Sequence, residues 1–345
     1  MLILGIESSC DETGAAIINA ESKNKKVKLL SNSLASSLSL HAKTGGIIPE
    51  NAAREQIKFI IPVIKEALLK AKLKPKDLDA IAVTYGPGLI GSLLIGVETA
   101  KTLSYIWSKP LIPVNHLYGH IYANFISEDS DYRVPEFPAV GLVVSGGHTD
   151  LVLMKNQNSI KWLGGTRDDA AGEAMDKIGR LLGLPYPGGP FIEKAALKGN
   201  LKKYKFPSPL INSKDYDFSF SGLKTAVYRE IQTIESLDSS IISDISACVQ
   251  KAVIDVLVKK TIIAFREYGA KSILLGGGVA ANNSLRETFN FKLSTLNLGV
   301  KLFVPTKSLC TDNGAMIATA AFYNNSSSDF RKVEANPNLY FDTAP

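Results

Sequence analysis

The sequence predicts a duplicated α/β fold of two lobes, because one strand-turn-strand pattern occurs twice and helical patterns alternate with short strands between the copies. The first copy, residues 2 to 20, reads LILGIESSCDETGAAIINA: an apolar strand, a small acidic turn and a second apolar strand. The second copy, residues 139 to 154, reads AVGLVVSGGHTDLVLM and has the same order. A chain of 345 residues, 45% of them hydrophobic, also suits two cores better than one.

The remaining elements continue this alternation. Helical patterns occupy 50 to 72, 91 to 107, 167 to 183 and 243 to 268. Short apolar strands, AIAVTY and PLIPV, accompany the first two helices. Near the C-terminus, KSILLGGGVAANNSLRETF and then VKLFVP with TDNGAMIATAAF each read as a strand, a turn and the start of a helix.

Composition limits the classes of function. Lysine and arginine outnumber aspartate and glutamate by 39 to 33, and the excess lies in Lys-rich stretches at 23 to 28, 65 to 76 and 198 to 205. Such stretches permit a nucleic-acid partner but are also typical of solvated helix faces. The three cysteines lack a CxxC pattern, which indicates neither a disulfide framework nor a zinc finger. Without a basic leader or an apolar run of roughly 20 residues, we expect a soluble cytoplasmic protein with no membrane partner.

The stretch VNHLYGHIYANF contains two of the four histidines, His116 and His120. Four residues apart on a helix, both imidazoles project from one face and can share a cation. Structural histidines have the same spacing, so that alternative stays open. A zinc peptidase helix carries HExxH with the Glu as general base, whereas Leu117, Tyr118 and Gly119 separate these two histidines. The spacing allows a metal site but does not supply the base of that peptidase mechanism.

A metal site with two histidines also needs a carboxylate, and CTDNGAM places Asp312 where a strand gives way to a helix. Aspartate at that position is commonly the N-cap of the helix. Only a fold that brings residue 312 beside residue 116 favours the ligand interpretation.

Two further motifs have the chemistry of nucleotide binding. In VVSGGHTD, two glycines let backbone N–H groups approach an anion, although a plain hairpin turn has the same composition and His148 reads as structural. In DDAAGEAMDKIGRLLGL, Asp169, Glu173 and Asp176 lie along one helical stripe, either solvated or facing a cleft to bind hydroxyl groups.

The turn GGGVAAN fits G-x-G-x-x-A through Gly276, Gly278 and Ala281. A dinucleotide site also needs an acid about 20 residues later, and LNLGVKLFV contains none, so a NAD enzyme is disfavoured. The turn can still hold an adenine or a ribose. The side-chain amide of Asn282 can donate a hydrogen bond through its nitrogen and accept one through its oxygen.

Nine motifs, taken in order, resemble the TsaD family of tRNA threonylcarbamoyladenosine (t6A) transferases, formerly labelled O-sialoglycoprotein endopeptidases. They are GIESSCDETG, HAKTGGIIPENAAREQ, TYGPGLIGSLLIG, NHLYGH, VSGGHTDL, DDAAGEAMDKIGRLLGLPYPGGP, FSFSGLKTAV, GGGVAAN and CTDNGAMIA. ESSCDETG and SGGHT are similar to its bacterial branch. The resemblance implies an actin-like, sugar-kinase and Hsp70-type (ASKHA) fold with a nucleotide in the cleft. It implies a first lobe at 1 to 115 completed by a helix near 312 to 324, a second lobe at 116 to 311, and a tail at 325 to 345.

The resemblance also implies site residues. His116, His120 and Asp312 would bind one divalent metal that bridges the two lobes; iron(II) is expected, with zinc as the alternative. The archaeal-type branch adds a tyrosine to this site where the present chain has Val143. The donor-binding residues would be Val143, Val144, Ser145, Gly146, Gly147, Asp176, Gly189 and Asn282, with Glu193 near the ribose.

The implied reaction transfers threonylcarbamoyl from threonylcarbamoyl-AMP to N6 of adenosine 37 in ANN-decoding tRNA and releases AMP. The metal would polarise the donor, and the N–H groups of Gly146 and Gly147 would stabilise developing charge. Asp11 or a metal-bound water would accept the N6 proton.

The implied partners are tRNA, a TsaB-type paralogue and a TsaE-type ATPase, with a homodimer as the alternative. Two other functions stay open, a metallo-endopeptidase and a catalytically silent nucleotide-binding scaffold.

Overall fold

The computed structural model describes residues 1–23, 25–127, 134–297, 299–324 and 327–341. The chain divides into two compact units. The first comprises Met1–Pro135 and Pro305–Pro345, and the second comprises Glu136–Val304.

The first unit contains a six-stranded sheet with helices packed on it. Its strands are β1 (Leu2–Glu7), β2 (Glu12–Glu21), β3 (Lys26–Ser36), β4 (Ala80–Gly86), β5 (Leu111–Asn115) and β6 (Ile126–Ser127), in the order β5-β4-β1-β2-β3-β6. Its first helices are α1 (Leu38–Thr44), α2 (Pro49–Ala71), α3 (Ile90–Trp107) and α4 (His116–Tyr122). β1, β2 and β3 form an antiparallel meander, and β4 and β5 run parallel to β1.

The second unit contains a five-stranded sheet. Its strands are β7 (Ala139–Val144), β8 (Thr149–Asn156), β9 (Ser159–Gly165), β10 (Ser272–Gly276) and β11 (Lys301–Phe303), in the order β11-β10-β7-β8-β9. Its helices are α5 (Ala171–Leu181), α6 (Gly188–Ala196), α7 (Ser221–Ile231), α8 (Ser239–Glu267) and α9 (Asn283–Thr295). The chain then returns to the first unit with α10 (Lys307–Cys310) and α11 (Gly314–Asn324).

The two sheets share one topology. In each, an antiparallel meander of three strands is followed by two strands that add in parallel on the other side of the first strand. β6 is an additional two-residue strand on β3 in the first sheet. The predicted duplicated two-lobe α/β fold is therefore confirmed, and the four helices predicted from periodicity are α2, α3, α5 and α8.

α11 lies directly on the backbone of the first sheet. An added Cβ at Gly5 would lie 2.1 Å from the carbonyl oxygen of Gly314, and one at Gly314 would lie 2.5 Å from the carbonyl oxygen of Gly5. The same helix contacts α4, where an added Cβ at Gly119 would lie 2.9 Å from Ile317 Cδ1. The approaches at Gly5 and Gly314 meet backbone atoms and require glycine, which fixes the start of α11 on the first sheet.

The unit boundaries differ from the expected lobe boundaries at 115/116 and 311/312. α4 stays in the first unit because it packs on α11, and α11 packs on β1 and β2. The expected tail also belongs to this unit: Val333, Leu339 and Phe341 are buried, and Tyr118 donates a hydrogen bond of 2.8 Å to the carbonyl oxygen of Phe341. Tail residues 325, 326 and 342 to 345 lie outside the described residues.

Among the helices of the described residues, none combines the length and apolar character that a membrane span needs.

Candidate metal centre and nucleotide-binding elements

His116, His120 and Asp312 converge in the first unit. The two imidazole rings meet edge to face with centroids 4.6 Å apart. Asp312 Oδ1 lies 3.6 Å from His116 Nε2 and 3.4 Å from His120 Nε2. One donor atom from each residue lies within 4.8 Å of the other two. The structure thus brings together the three residues that the sequence predicted as ligands.

The three residues do not join two lobes. All of them belong to the first unit, because α4 and the turn before α11 both pack onto its sheet. The resemblance implied a metal that bridges two lobes, whereas these three residues lie within one unit.

Asn313, and not Asp312, caps α11. Asn313 Oδ1 accepts a hydrogen bond of 2.9 Å from Met316 N, and Asn313 Nδ2 donates to the carbonyl oxygens of Leu309 and Thr311. With the cap made by its neighbour, the Asp312 carboxylate is directed at the two imidazoles. This geometry favours the ligand interpretation over the cap that the sequence left open.

Glu7 orients His116. The fully buried Glu7 places Oε2 3.1 Å from His116 Nδ1, and Ser9 Oγ lies 3.2 Å from the same nitrogen. Glu7 also accepts hydrogen bonds of 2.6 Å from Ser9 N and 2.5 Å from Thr84 Oγ1. A carboxylate on Nδ1 fixes the tautomer that leaves the Nε2 lone pair for a cation. The sequence analysis did not identify Glu7 as a functional residue. The signal that could have identified it is an acidic residue at the end of an apolar strand.

His120 gives the strongest test of whether the triad fits a metal. Its side chain is fully buried, and neither ring nitrogen has a hydrogen-bond partner among the described residues. Leaving a buried polar group unsatisfied costs about 1–3 kcal/mol. Two imidazole nitrogens and a carboxylate oxygen are ligands that suit iron(II) or zinc. The residues present therefore fit the implied metal.

The electrostatics of the triad are those of a cation site. Burial lowers the pKa of His116, but the carboxylates of Glu7 and Asp312 and the hydrogen bond to Glu7 outweigh burial and raise it to about 9. The imidazole therefore carries a proton when no other cation neutralises the two carboxylates.

The turn between β1 and β2 adds two carboxyl groups to this neighbourhood. Burial, and then the charge of Asp312, raises the pKa of Asp11, the expected proton acceptor. Burial, together with Asp312, Asp11 and Glu7, raises the pKa of Glu12 to about 8. Sequence reasoning did not single out Glu12.

Gln56 of α2 fixes this turn. Its Nε2 donates hydrogen bonds to the carbonyl oxygens of Ser8, Cys10 and Glu12, at 3.2, 2.9 and 3.1 Å. Ser92 of α3 adds a hydrogen bond of 3.0 Å to the carbonyl oxygen of Cys10. Helices α2 and α3 thus hold the acidic turn in place.

In the second unit, the turn between β7 and β8 presents its backbone. Val143 and Val144 are fully buried in β7, so only their main-chain atoms are available to a ligand. Ser145 closes the turn: its N–H donates to the carbonyl oxygen of His148 at 2.8 Å, and its Oγ accepts from His148 N at 3.2 Å. An added Cβ at Gly146 or at Gly147 would meet nothing within 4 Å. The turn therefore combines a closed hairpin with two open glycines.

Glycines bring two other elements against this turn. An added Cβ at Gly172, in the first turn of α5, would lie 2.5 Å from the carbonyl oxygen of Ser145. Gly277, with a φ of +92°, would place a Cβ 2.3 Å from the carbonyl oxygen of Val144. The glycine-rich turn after β10 and the start of α5 thus lie beside residues 144 to 147.

The acids in and just before α5 separate into two groups. Lys177 Nζ lies 2.6 Å from Asp169 Oδ1 and 2.9 Å from Glu173 Oε1, so these acids form ion pairs near the surface. Asp176 instead accepts a hydrogen bond of 3.2 Å from Gly189 N, and burial raises its pKa. Asp176 and Gly189, both expected to bind the donor, therefore contact each other.

Asn282 has protein partners on both sides of its amide. Its Oδ1 accepts a hydrogen bond of 2.9 Å from Leu285 N at the start of α9, and its Nδ2 donates to Gln250 Oε1 at 2.9 Å. Glu193 Oε1 accepts from the N–H and Nδ2 of Asn283 at 2.8 and 2.9 Å. The contact between Glu193 and Asn283 connects α6 to α9, and the contact between Asp176 and Gly189 connects α6 to α5.

Comparison with known proteins agrees with these motifs. The family model of TsaD, described as tRNA N6-adenosine threonylcarbamoyltransferase, matches residues 28–319. A protein of that name from Syntrophomonas wolfei is 48% identical over 335 residues, covering 97% of this chain and 96% of that protein. Another, from Moorella thermoacetica, is 48% identical and covers 97% of this chain and 95% of that protein.

Among solved structures, full-length HypF in its phosphate- and nucleotide-bound form is similar in fold, with a TM-score of 0.61 at 14% sequence identity. That similarity covers 94% of this chain but only 46% of the HypF chain. At this identity the likeness concerns the fold alone.

Proposed function

The chain belongs to the TsaD family of tRNA N6-adenosine threonylcarbamoyltransferases, and we propose that it performs this transfer with one divalent cation held by His116, His120 and Asp312. The donor is threonylcarbamoyl-AMP, and the acceptor is N6 of adenosine 37 in ANN-decoding tRNA. The cation is iron(II), with zinc as the alternative that the same nitrogen and oxygen ligands accept.

One observation carries the metal assignment. His120 is fully buried without a hydrogen bond to either ring nitrogen, yet its Nε2 lies 3.4 Å from Asp312 Oδ1, beside a second imidazole that Glu7 orients. A cation bonded to the three donor atoms would satisfy the buried nitrogen and neutralise the carboxylate. When bound, it would supply Lewis acidity to the donor.

The remaining chemistry belongs to the chain. We assign the phosphate and carbamoyl part of the donor to the main chain of residues 143 to 147, where Gly146 and Gly147 leave their N–H groups open to an anion. The adenosine part is assigned to Asp176, Gly189 and Asn282. Asp11 is assigned as the acceptor of the N6 proton, and its raised pKa makes it a stronger base than an ordinary aspartate.

The partners are tRNA, a TsaB-type paralogue and a TsaE-type ATPase, with a homodimer as the alternative to that assembly. The tRNA substrate supports a place of action in the cytoplasm.

The test is reconstitution with threonylcarbamoyl-AMP, an ANN-decoding tRNA and the TsaB-type and TsaE-type partners, paired with elemental analysis of the anaerobically purified chain. We expect His116→Ala and Asp312→Ala each to abolish t6A formation and to lower the metal content from about one ion per chain to near zero. His148→Ala is the matched control, since this histidine lies outside the triad, and its metal content should be unchanged. Full activity in both triad variants would remove the metal from the mechanism.

The same preparation separates the rival functions. Between its two histidines α4 carries no carboxylate, so the helix offers no general base for peptide hydrolysis. Metal-dependent cleavage of a glycoprotein by the purified chain would nevertheless favour the peptidase. Normal t6A levels in a cell depleted of the chain would favour a silent scaffold.

A further inference from the structure

Residues 194 to 214, named here the lysine segment, form a strongly basic part of the second unit. The segment has six lysines and neither aspartate nor glutamate. The lysines, all exposed, are Lys194, Lys198, Lys202, Lys203, Lys205 and Lys214. Among the described residues, none of these six ammonium groups takes part in a salt bridge, so the positive charge of the segment is exposed to solvent.

The segment is held in a defined position along α8. An added Cβ at Gly199 would lie 2.0 Å from the carbonyl oxygen of Ser243, and Asn200 N donates a hydrogen bond of 2.7 Å to Asp244 Oδ1. Further along, Ser208 Oγ donates to the carbonyl oxygen of Ala252 at 3.1 Å. From residue 243 to residue 252 the helix rises about 13 Å. Lys202, Lys203 and Lys205 lie between these attachment points and are displayed together at the surface.

The nearest carboxylates do not neutralise this charge. Burial, then Glu230, Asp244 and Asp238, raises the pKa of Tyr204, so these acids lie near the segment. Asp244 binds Asn200 N, and Asp238 caps α8 by accepting from Ile241 N. Two of these three acids are thus engaged by backbone N–H groups. The acids that flank the segment are also engaged, Glu193 by Asn283 and Asp215 by Arg167 and Lys260.

We propose that the lysine segment binds the phosphate backbone of the tRNA substrate. This inference rests on the proposed function, which supplies the polyanion. A row of unpaired ammonium groups matches closely spaced phosphates, because each lysine provides a mobile point charge without demanding a fixed bonding geometry. Tyr204 and Phe206 stack on each other, with centroids 6.0 Å apart, and support the segment from within. The contact is therefore to phosphate and independent of base sequence.

The test compares tRNA binding by the full chain and by the variant Lys202→Gln, Lys203→Gln, Lys205→Gln over a range of KCl concentrations. We expect the variant to bind at least about tenfold more weakly at low salt and the slope of log Kobs against log[KCl] to fall by about 2 to 3. The matched control is Lys72→Gln, Lys74→Gln, Lys76→Gln, which removes the same charge from exposed lysines of the first unit. Its affinity and slope should remain those of the unsubstituted chain.

Equal losses in the two triple variants would reduce the effect to net charge and overturn the assignment. Unchanged binding in the segment variant, or no tRNA binding by the unsubstituted chain, would also overturn it and favour an acidic protein as the partner. A t6A assay on the same preparations, supplemented with the TsaB-type and TsaE-type partners, separates the two proposals. If the unsubstituted chain forms t6A and the segment variant binds tRNA normally, only this inference fails. If the variant loses affinity while no preparation forms t6A, only the proposed function fails.

Discussion

The turn between β1 and β2 and the turn between β7 and β8 occupy the same place in two sheets of the same strand order. The first turn is crowded by side chains: Gln56 binds three of its carbonyl groups, and Asp11 and Glu12 are largely buried beside Asp312. The second turn closes on itself through Ser145 and His148, and its two glycines lie open. In the first copy the turn places carboxyl groups beside Asp312, and in the second copy it presents backbone at two open glycines.

The two units show how one fold can present different chemical groups at the same turn. In the first unit, carboxylate and imidazole side chains converge, and neighbouring helices fix their positions. In the second, the side-chain amide of Asn282 and the carboxylate of Asp176 bind neighbouring protein groups, and the two glycines of the turn have open space beside them. Substitutions in one turn should therefore change one binding activity and spare the other.

The largest effect is expected for Glu7→Gln. The amide oxygen accepts a hydrogen bond from His116 Nδ1 less strongly than the carboxylate does, so the tautomer of His116 is held less firmly. We expect metal affinity to fall about 10- to 100-fold, with nucleotide binding unchanged. Competition of the purified protein against a chelator of known affinity measures the change. Glu98→Gln, an exposed glutamate paired with Lys101, is the control and should bind metal normally.

A smaller effect, in the other turn, is expected for Gly147→Ala. Nothing lies within 4 Å of the added methyl group, so the free energy of unfolding should change by less than about 0.5 kcal/mol. The methyl group would nevertheless keep a phosphate from the backbone, and we expect AMP to bind roughly tenfold more weakly, which is about the value of one hydrogen bond to a charged group. Titration calorimetry with AMP checks this. Gly222→Ala, at an exposed position of α7, is the matched control; equal affinities in the two variants would contradict the assignment of the turn.

A third effect, on stability and not on binding, concerns Glu12 in metal-free protein. Its pKa is raised from 4.5 to about 8 in the folded state, so the unfolded chain releases this proton at lower pH than the folded chain. Stability should therefore fall as pH rises from about 4.5 to 8, and Glu12→Gln should remove that part of the decline. Urea unfolding in the presence of a chelator at pH 5, 6, 7 and 8 measures it. Glu50→Gln, on the exposed start of α2, should leave the pH dependence intact, and a parallel decline in Glu12→Gln would show that another group is responsible.

Periodic patterns and residue spacing predicted much of this molecule. The duplicated hairpins and the helices α2, α3, α5 and α8 depend on local apolar repeats, which the sequence displays directly. The shared face of His116 and His120 follows from a spacing of four residues on a helix.

What could not be predicted depends on contacts between distant residues. Asp312 and Asn313 are both good helix caps, and only the packing of α11 decides which one caps and which one faces the histidines. Glu7 reads as an ordinary strand end until His116, more than a hundred residues later, is placed against it. The unit boundaries differ from the expected lobe boundaries for the same reason, since α4 packs on α11, which is distant in the sequence.

The most direct measurement is an anomalous difference map from crystals of the chain grown with zinc or iron(II). We predict one strong peak bonded to Nε2 of His116, Nε2 of His120 and a carboxylate oxygen of Asp312, at distances of about 2.0–2.2 Å. A strong peak elsewhere, with Asp312 turned away from the two histidines, would contradict the metal site on which the proposed chemistry depends.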